Sequence, residues 1–181
     1  MRVLVAYASA YGSTKGIAEQ IGDRLASTGT DVDVRRVDDV EGIDGYDAVV
    51  LGSAVHGGAW LPDAAAFAQA SAAALTDRPV WLFSVSSVGD TSAFFGPRVA
   101  RFMRRARHET KETAALRQAF CPRGHHNFAG AIARSHWGRL ANVFFRVFRG
   151  SYGDHRDWHD VEAWADTIAA HLGVGERPIG V

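Results

Sequence analysis

The chain has 181 residues with 20 basic and 20 acidic side chains, so its formal net charge is zero. This length predicts one domain over residues 1–181, and no apolar run is long enough to cross a bilayer or to form a signal peptide. The single cysteine, Cys121, excludes an internal disulfide, fits a cytoplasmic protein and is expected to be buried as a small apolar side chain.

The chain opens with the pattern of a strand, a turn and a helix. Residues 3–7 form an apolar run that is typical of a strand buried on both faces. Ile17, Ile21 and Leu25 then recur at every fourth position, which predicts a helix that begins near Ser13. The first N–H groups of such a helix have no partner inside it, and the helix dipole attracts anions. The arrangement therefore predicts a phosphate site.

The turn between this strand and helix is rich in hydroxyl groups and differs from the common nucleotide-binding loops. Lys15 has no P-loop frame around it, and Gly12 and Gly16 alone do not make a dinucleotide fingerprint. Neutral hydroxyl donors suit one phosphate monoester, and the alternative is a plain strand–turn–helix with a serine-rich N-terminus. The candidate phosphate-binding residues are Ser9, Ala10, Tyr11, Gly12, Ser13 and Thr14.

Further strands and helices alternate along the rest of the chain. A weak strand is predicted around residues 32–37, and stronger ones over 47–55, 79–86 and 128–132. Helices are predicted from Pro62, from Pro97, over 109–118 and after an Asp160 N-cap. This alternation predicts an α/β fold with a doubly wound, five-stranded parallel sheet.

The loops after the third and fourth strands have the composition of ligand loops. Adjacent glycines after the third strand let the backbone approach a planar ring closely, and small polar residues follow the fourth strand. Trp60 either stacks on such a ring or packs in the core. The candidate residues of the two loops are Ser53, Ala54, Val55, His56, Gly57, Trp60, Ser86, Ser87, Val88 and Gly89.

These three loops resemble those of the flavodoxin-like family. Its first loop, Ser/Thr-x-Thr-Gly-x-Thr, is matched here at Ser9, Gly12 and Thr14, while Tyr11 departs from it. The resemblance implies strand order 2-1-3-4-5, an FMN phosphate in the first loop and the isoalloxazine between the other two. A deazaflavin coenzyme in the same loops, or a module without any flavin, are the alternatives.

The second half of the chain is basic and carries an extra segment. Residues 98–149 hold 12 basic and 2 acidic side chains, which predicts an anionic partner or surface. A helical insert is expected over 134–152, near the fifth strand. Its helix, 137–149, has a polar stripe that is mostly arginine on an otherwise apolar surface. Such a helix fits peripheral contact with an anionic membrane, or equally a packed protein interface.

This layout resembles the menaquinone-dependent protoporphyrinogen dehydrogenase branch, in which an Asp-Trp pair precedes the last helix, here Asp157-Trp158. The resemblance implies an FMN-dependent oxidoreductase linked to a quinone. An electron carrier that docks on a redox protein is the alternative, and neither a metal nor nucleic acid is expected. Residues that could meet propionates or a quinone, or else are merely exposed, are Arg123, His125, His126, Arg134 and His136.

Overall fold

The computed structural model describes residues 1–106, 109–132 and 151–173. The predicted insert, with Arg134, His136 and the helix over 137–149, lies outside these ranges except for its last two residues. No helix within the described ranges is long and apolar enough to cross a membrane.

A parallel sheet forms the centre of the molecule, and its order confirms the prediction. The strands are β1 (Arg2–Ala8), β2 (Asp31–Arg36), β3 (Ala48–His56), β5 (Val80–Ser86) and β6 (Gly124–Ala129). They pair in the order β2-β1-β3-β5-β6, with every pair parallel. A short β4 (Ala59–Trp60) folds back on β3, and β7 (Ala131–Ile132) pairs antiparallel with β8 (Gly153–Asp154).

Helices cover both faces of this sheet. They are α1 (Ser13–Ser27), α2 (Pro62–Ala70), α3 (Ala72–Thr76), α4 (Pro97–Ala106), α5 (Lys111–Phe120) and α6 (Trp158–His171), with a 3-10 turn at Val37–Asp39. Alternate residues of β1 point to opposite faces. Val3 and Val5 therefore pack with α1 and α6, while Leu4 and Ala6 pack with α2, α3 and α5.

Three local predictions are corrected. The fifth strand begins at Gly124, not at residue 128, because its first residues are polar and hide the strand pattern. Asp157, not Asp160, caps the last helix, since its side chain accepts a hydrogen bond from the Asp160 backbone N–H at 3.2 Å. Cys121 is exposed because it ends α5 in a left-handed conformation (φ 47°) instead of packing in the core.

Candidate functional site

The carboxyl ends of β1, β3, β5 and β6 meet at one edge of the sheet, and a cavity of about 790 Å³ opens there. This is the expected ligand position in an open parallel sheet, and the volume lies within the range of small-molecule pockets. The predicted residues that line it are Ser9, Ala10, Tyr11, Ser13, Thr14, Ala54, Val55, His56, Gly57, Ser86, Ser87 and Val88.

The first loop delivers the N-terminus of α1 to the cavity. Gly12 is the N-cap residue and adopts φ 84°, a left-handed conformation that favours glycine. Its N–H donates to the Ser9 hydroxyl at 3.0 Å, which closes the turn. The next N–H groups belong to the first turn of α1, where helical geometry offers them no partner. The loop therefore aims a set of backbone donors at the cavity.

Thr14 is the residue of this loop whose environment points most directly to a ligand. It is only 1% exposed and lines the cavity. Within the described ranges its hydroxyl makes no hydrogen bond. No side-chain polar atom of the described residues is both fully buried and unpartnered, so the unpartnered Thr14 hydroxyl keeps some access to the cavity and can donate to a bound group.

Ser13 has a second task beside the cavity. Its Oγ accepts a hydrogen bond from the Ala131 N–H at 2.9 Å, so it joins α1 to the segment after β6. Gly130 lies so close that a Cβ there would come within 2.7 Å of the Ser13 Oγ. Because the Ser13 oxygen accepts this bond, its hydroxyl hydrogen can still be donated into the cavity.

Arg156, which is not among the residues that line the cavity, contacts the start of α1. A Cβ on Gly16 would lie 2.5 Å from the Arg156 Nη1, so the guanidinium packs directly on this helix turn. Arg156 also lies over the Trp158 ring, with its Cζ 4.4 Å from the ring centroid. Its hydrogen bonds hold the pKa of Asp154 below the ordinary value. The start of α1 is thus held by contacts with both Ala131 and Arg156.

The loop after β3 is a tight hairpin. Gly57 and Gly58 have φ of 59° and 83°, and His56 pairs with Ala59 across the turn, as in a type I′ hairpin. The His56 and Tyr11 rings lie 5.8 Å apart, centroid to centroid, and both are exposed at the cavity. The loops after β1 and β3, which are far apart in sequence, thus meet at the opening of the cavity.

Two predicted residues of this loop, Ser53 and Trp60, are not among the residues that line the cavity. Trp60 is 3% exposed and donates from Nε1 to the Ser84 Oγ at 2.8 Å, so it is a core residue. Ser53 is fully buried, and its Oγ bonds the Ala54 carbonyl and the Leu61 N–H. Both side chains use their polar atoms to hold β3, β4 and β5 together.

The loop after β5 is held in one shape by several contacts. The Ser86 Oγ bonds both the carbonyl and the N–H of Val88. Gly89 does not line the cavity but packs on β6, where a Cβ would come within 2.3 Å of the Ala129 nitrogen. Arg104 of α4 donates to the Gly89 carbonyl at 2.7 Å and to the Ser92 carbonyl at 3.1 Å.

Polar residues of β5 and β6 also line the cavity: Ser84 and Asn127 were not candidates from the sequence, whereas His125 was. His125 lines the cavity, and its Nε2 lies 2.9 Å from the Ser84 Oγ, which also accepts from Trp60. His126 lies on the other face of β6, where its Nε2 is 3.0 Å from Asp160. Side chains of a strand alternate between faces, so the predicted histidine cluster is divided by the sheet.

Helices α4 and α5 add a further wall that the sequence did not indicate. Phe102, Met103 and Ala106 supply its apolar part. Glu109 and Arg117 also line the cavity and pair with each other at 3.0 Å. Among the described residues, no group of three or more His, Cys, Asp or Glu side chains could hold a metal ion. The cavity thus combines hydroxyl groups at the N-terminus of α1 with an apolar wall from α4.

Comparison with known proteins places this geometry in a family. Residues 4–157 match the family profile of the flavodoxin domain. A search of curated protein sequences finds no significant match. A mutant flavodoxin from Pseudomonas aeruginosa is similar in structure, with a TM-score of 0.61, 12% identity, and coverage of 96% of this chain and 99% of that one.

Two further solved structures have the same fold. Flavodoxin 1 from Bacillus cereus gives a TM-score of 0.57 and 14% identity over 95% of this chain and 99% of that one. Rubredoxin oxygen:oxidoreductase from Desulfovibrio gigas gives 0.62 and 16% identity over 97% of this chain. The present chain spans only 37% of the length of that enzyme. Identities this low support the fold alone.

Proposed function

Because the chain belongs to the flavodoxin domain family, we propose that its cavity binds FMN and that the protein takes part in electron transfer. The observation that carries this proposal is Thr14, a residue of the cavity lining in the first turn of α1, whose hydroxyl has no partner in the described ranges. A phosphate monoester is an anion that would satisfy both the hydroxyl and the first-turn N–H groups.

The remaining loop residues fit the rest of the cofactor. The hydroxyl oxygens of Ser9 and Ser13 each accept a hydrogen bond from a backbone N–H. Their hydroxyl hydrogens can therefore still be donated to a ligand beside Thr14. The backbone of 54–57 and 86–88 would contact the planar ring from two sides. Bound FMN would supply the one- and two-electron chemistry that the side chains of this site lack.

We further propose that the protein is an enzyme with its own small acceptor, as the resemblance to the quinone-linked protoporphyrinogen dehydrogenases implies. Support comes from the wall of α4 and α5, which extends the cavity beyond the three flavin loops. Phe102 and Met103 give this wall an apolar surface that suits a quinone. Membrane contact through residues 137–149 stays a prediction from the sequence, and its test is liposome binding with and without that segment.

The first experiment is an absorption spectrum of the purified protein, followed by titration of free FMN with protein and measurement of fluorescence quenching. Quenching at stoichiometric protein would support the cofactor proposal. A spectrum without flavin bands, combined with no quenching, would refute it and direct the search to a deazaflavin coenzyme.

A second experiment separates the enzyme from the electron carrier. The FMN-loaded protein is reduced chemically, and reoxidation by a soluble quinone is followed without any other protein. Rapid reoxidation by the quinone alone supports an enzyme. Reoxidation that requires a protein partner supports the carrier.

A further inference from the structure

A second concave surface lies on the other side of the loop that follows β5. This groove has a volume of about 490 Å³, and its lining includes Arg101, Arg104, Arg105, Thr91, Ala93 and Phe95. It is distinct from the proposed FMN cavity, since the two share no lining residue in the described part of the chain. We call it the arginine groove.

The arginine groove has a strong positive charge with no local compensation. Helix α4 carries four arginines and no acidic residue. The guanidinium groups of Arg101 and Arg105 form no ion pair or hydrogen bond with any residue in the described ranges, and both side chains belong to exposed residues. Among the residues that the structure describes, no acidic side chain lines the groove. Its unpaired cations therefore favour an anionic partner.

One loop forms the wall between the groove and the cavity. Val88 lines the cavity, Ala93 lines the groove, and the two residues pair as a β-bridge. Arg104 lines the groove while its guanidinium donates to the carbonyls of Gly89 and Ser92. A partner seated in the groove would thus be separated from the cavity by the thickness of this loop alone.

We propose that the arginine groove docks the acidic surface of a protein that is a one-electron carrier. The docking itself rests on the charge and shape of the groove, while electron exchange rests on the proposed FMN function. In each encounter the partner's reduced centre loses one electron and the bound cofactor gains it. Two encounters deliver two electrons, and the accompanying protons come from water.

The shape of the groove favours a protein over a membrane as this partner. A bilayer surface is broad and contacts protruding residues, whereas this surface is concave. The exposed guanidinium groups of its lining can bind carboxylates of clustered Asp and Glu side chains in a bidentate manner. Carboxylates on a convex acidic surface could therefore reach Arg101 and Arg105 together.

The test is the affinity of a fluorescein-labelled deca-glutamate peptide and of a plant-type ferredoxin for the FMN-loaded protein at low salt. The variant is Arg101→Gln/Arg105→Gln, which leaves Arg104 and its contacts to the loop in place. The matched control is Arg35→Gln/Arg36→Gln, which removes the same charge from β2 at the opposite edge of the sheet.

We expect the groove variant to bind both probes about tenfold more weakly and the control variant to change by less than about twofold. Added salt should weaken binding of the wild type. Equal losses of affinity in both variants would show that only net charge matters and would refute the groove as the docking site. No binding by the wild type would overturn it as well.

Two further measurements separate the other outcomes. If anionic phosphatidylglycerol vesicles bind through Arg101 and Arg105 while neither acidic probe does, the groove is a membrane site and the proposal is wrong. FMN quenching is measured on the same samples. Loss of quenching alone would refute the proposed cofactor, whereas the peptide affinities would still decide whether the groove docks acidic chains.

Discussion

Replacing Thr14 by valine should weaken FMN binding strongly without destabilising the protein. Valine keeps the branched shape of threonine and removes only the hydroxyl, which is unpartnered in the described ranges. A hydrogen bond to a charged group contributes about 1.5–3 kcal/mol. Its loss corresponds to an increase of about 10- to 150-fold in Kd. The assay is FMN fluorescence quenching at a series of protein concentrations.

The stability of the apoprotein provides the second half of this test. Because the hydroxyl bonds no described residue, its removal should change the free energy of unfolding of the apoprotein by less than about 0.5 kcal/mol, as measured in urea. Thr14→Ser keeps the hydroxyl and should bind FMN nearly as well as the wild type. Wild-type affinity in Thr14→Val would refute the phosphate assignment. A large loss of apoprotein stability would show instead that the hydroxyl has a structural role.

Three further substitutions test the loops and the fold. Gly12→Ala should lower the free energy of unfolding in urea by about 1 kcal/mol, because alanine is strained at the Gly12 φ of 84°. Steric overlap does not contribute, since a Cβ on Gly12 would meet no atom within 4 Å. Gly12→Asn should cost less, because asparagine tolerates this conformation better. Gly89→Ala should cost about 1–3 kcal/mol because its Cβ would overlap the β6 backbone, whereas Gly96→Ala, with open space around it, should stay within about 0.5 kcal/mol. Tyr46→Phe should cost about 1 kcal/mol at pH 7, since the Tyr46 hydroxyl lowers the pKa of Asp33 below 3.8. That stabilisation is present above the unfolded pKa and is lost as pH falls through the lower folded pKa, so wild type and variant should converge in urea titrations at acid pH.

The sequence was sufficient for the sheet and for the turn that starts α1 because both depend on local patterns. Residues 3–7 and 48–51 are apolar throughout, as buried parallel strands require. The turn at Gly12 and the start of α1 follow within a few residues, so one short stretch contains the whole motif. The sheet order then followed from the resemblance.

The part of the cavity formed by the loops after β3 and β5 was harder to predict, because its contacts join distant parts of the chain. Trp60 meets Ser84, which is 24 residues away, and Ser84 meets His125 another 41 residues on. Composition allowed Trp60 to be a stacking residue or a core residue, and only the position of Ser84 decides between them. The wall supplied by α4 and α5 likewise depends on how those helices pack, which no local pattern encodes.

The loop after β5 bears on both proposals, because it faces the cavity on one side and the arginine groove on the other. Allosteric coupling between two ligands needs an element with two arrangements. This loop is tied by Arg104, by the Val88–Ala93 bridge and by Asp90, whose N–H donates to the Asn127 carbonyl at 2.7 Å. A segment held this firmly has little left to order when a ligand binds, so FMN and an acidic partner should bind almost independently. The test is the affinity of the protein for the acidic peptide, measured with and without FMN. Because coupling between two ligands is reciprocal, the same ratio also gives the effect of the peptide on FMN affinity.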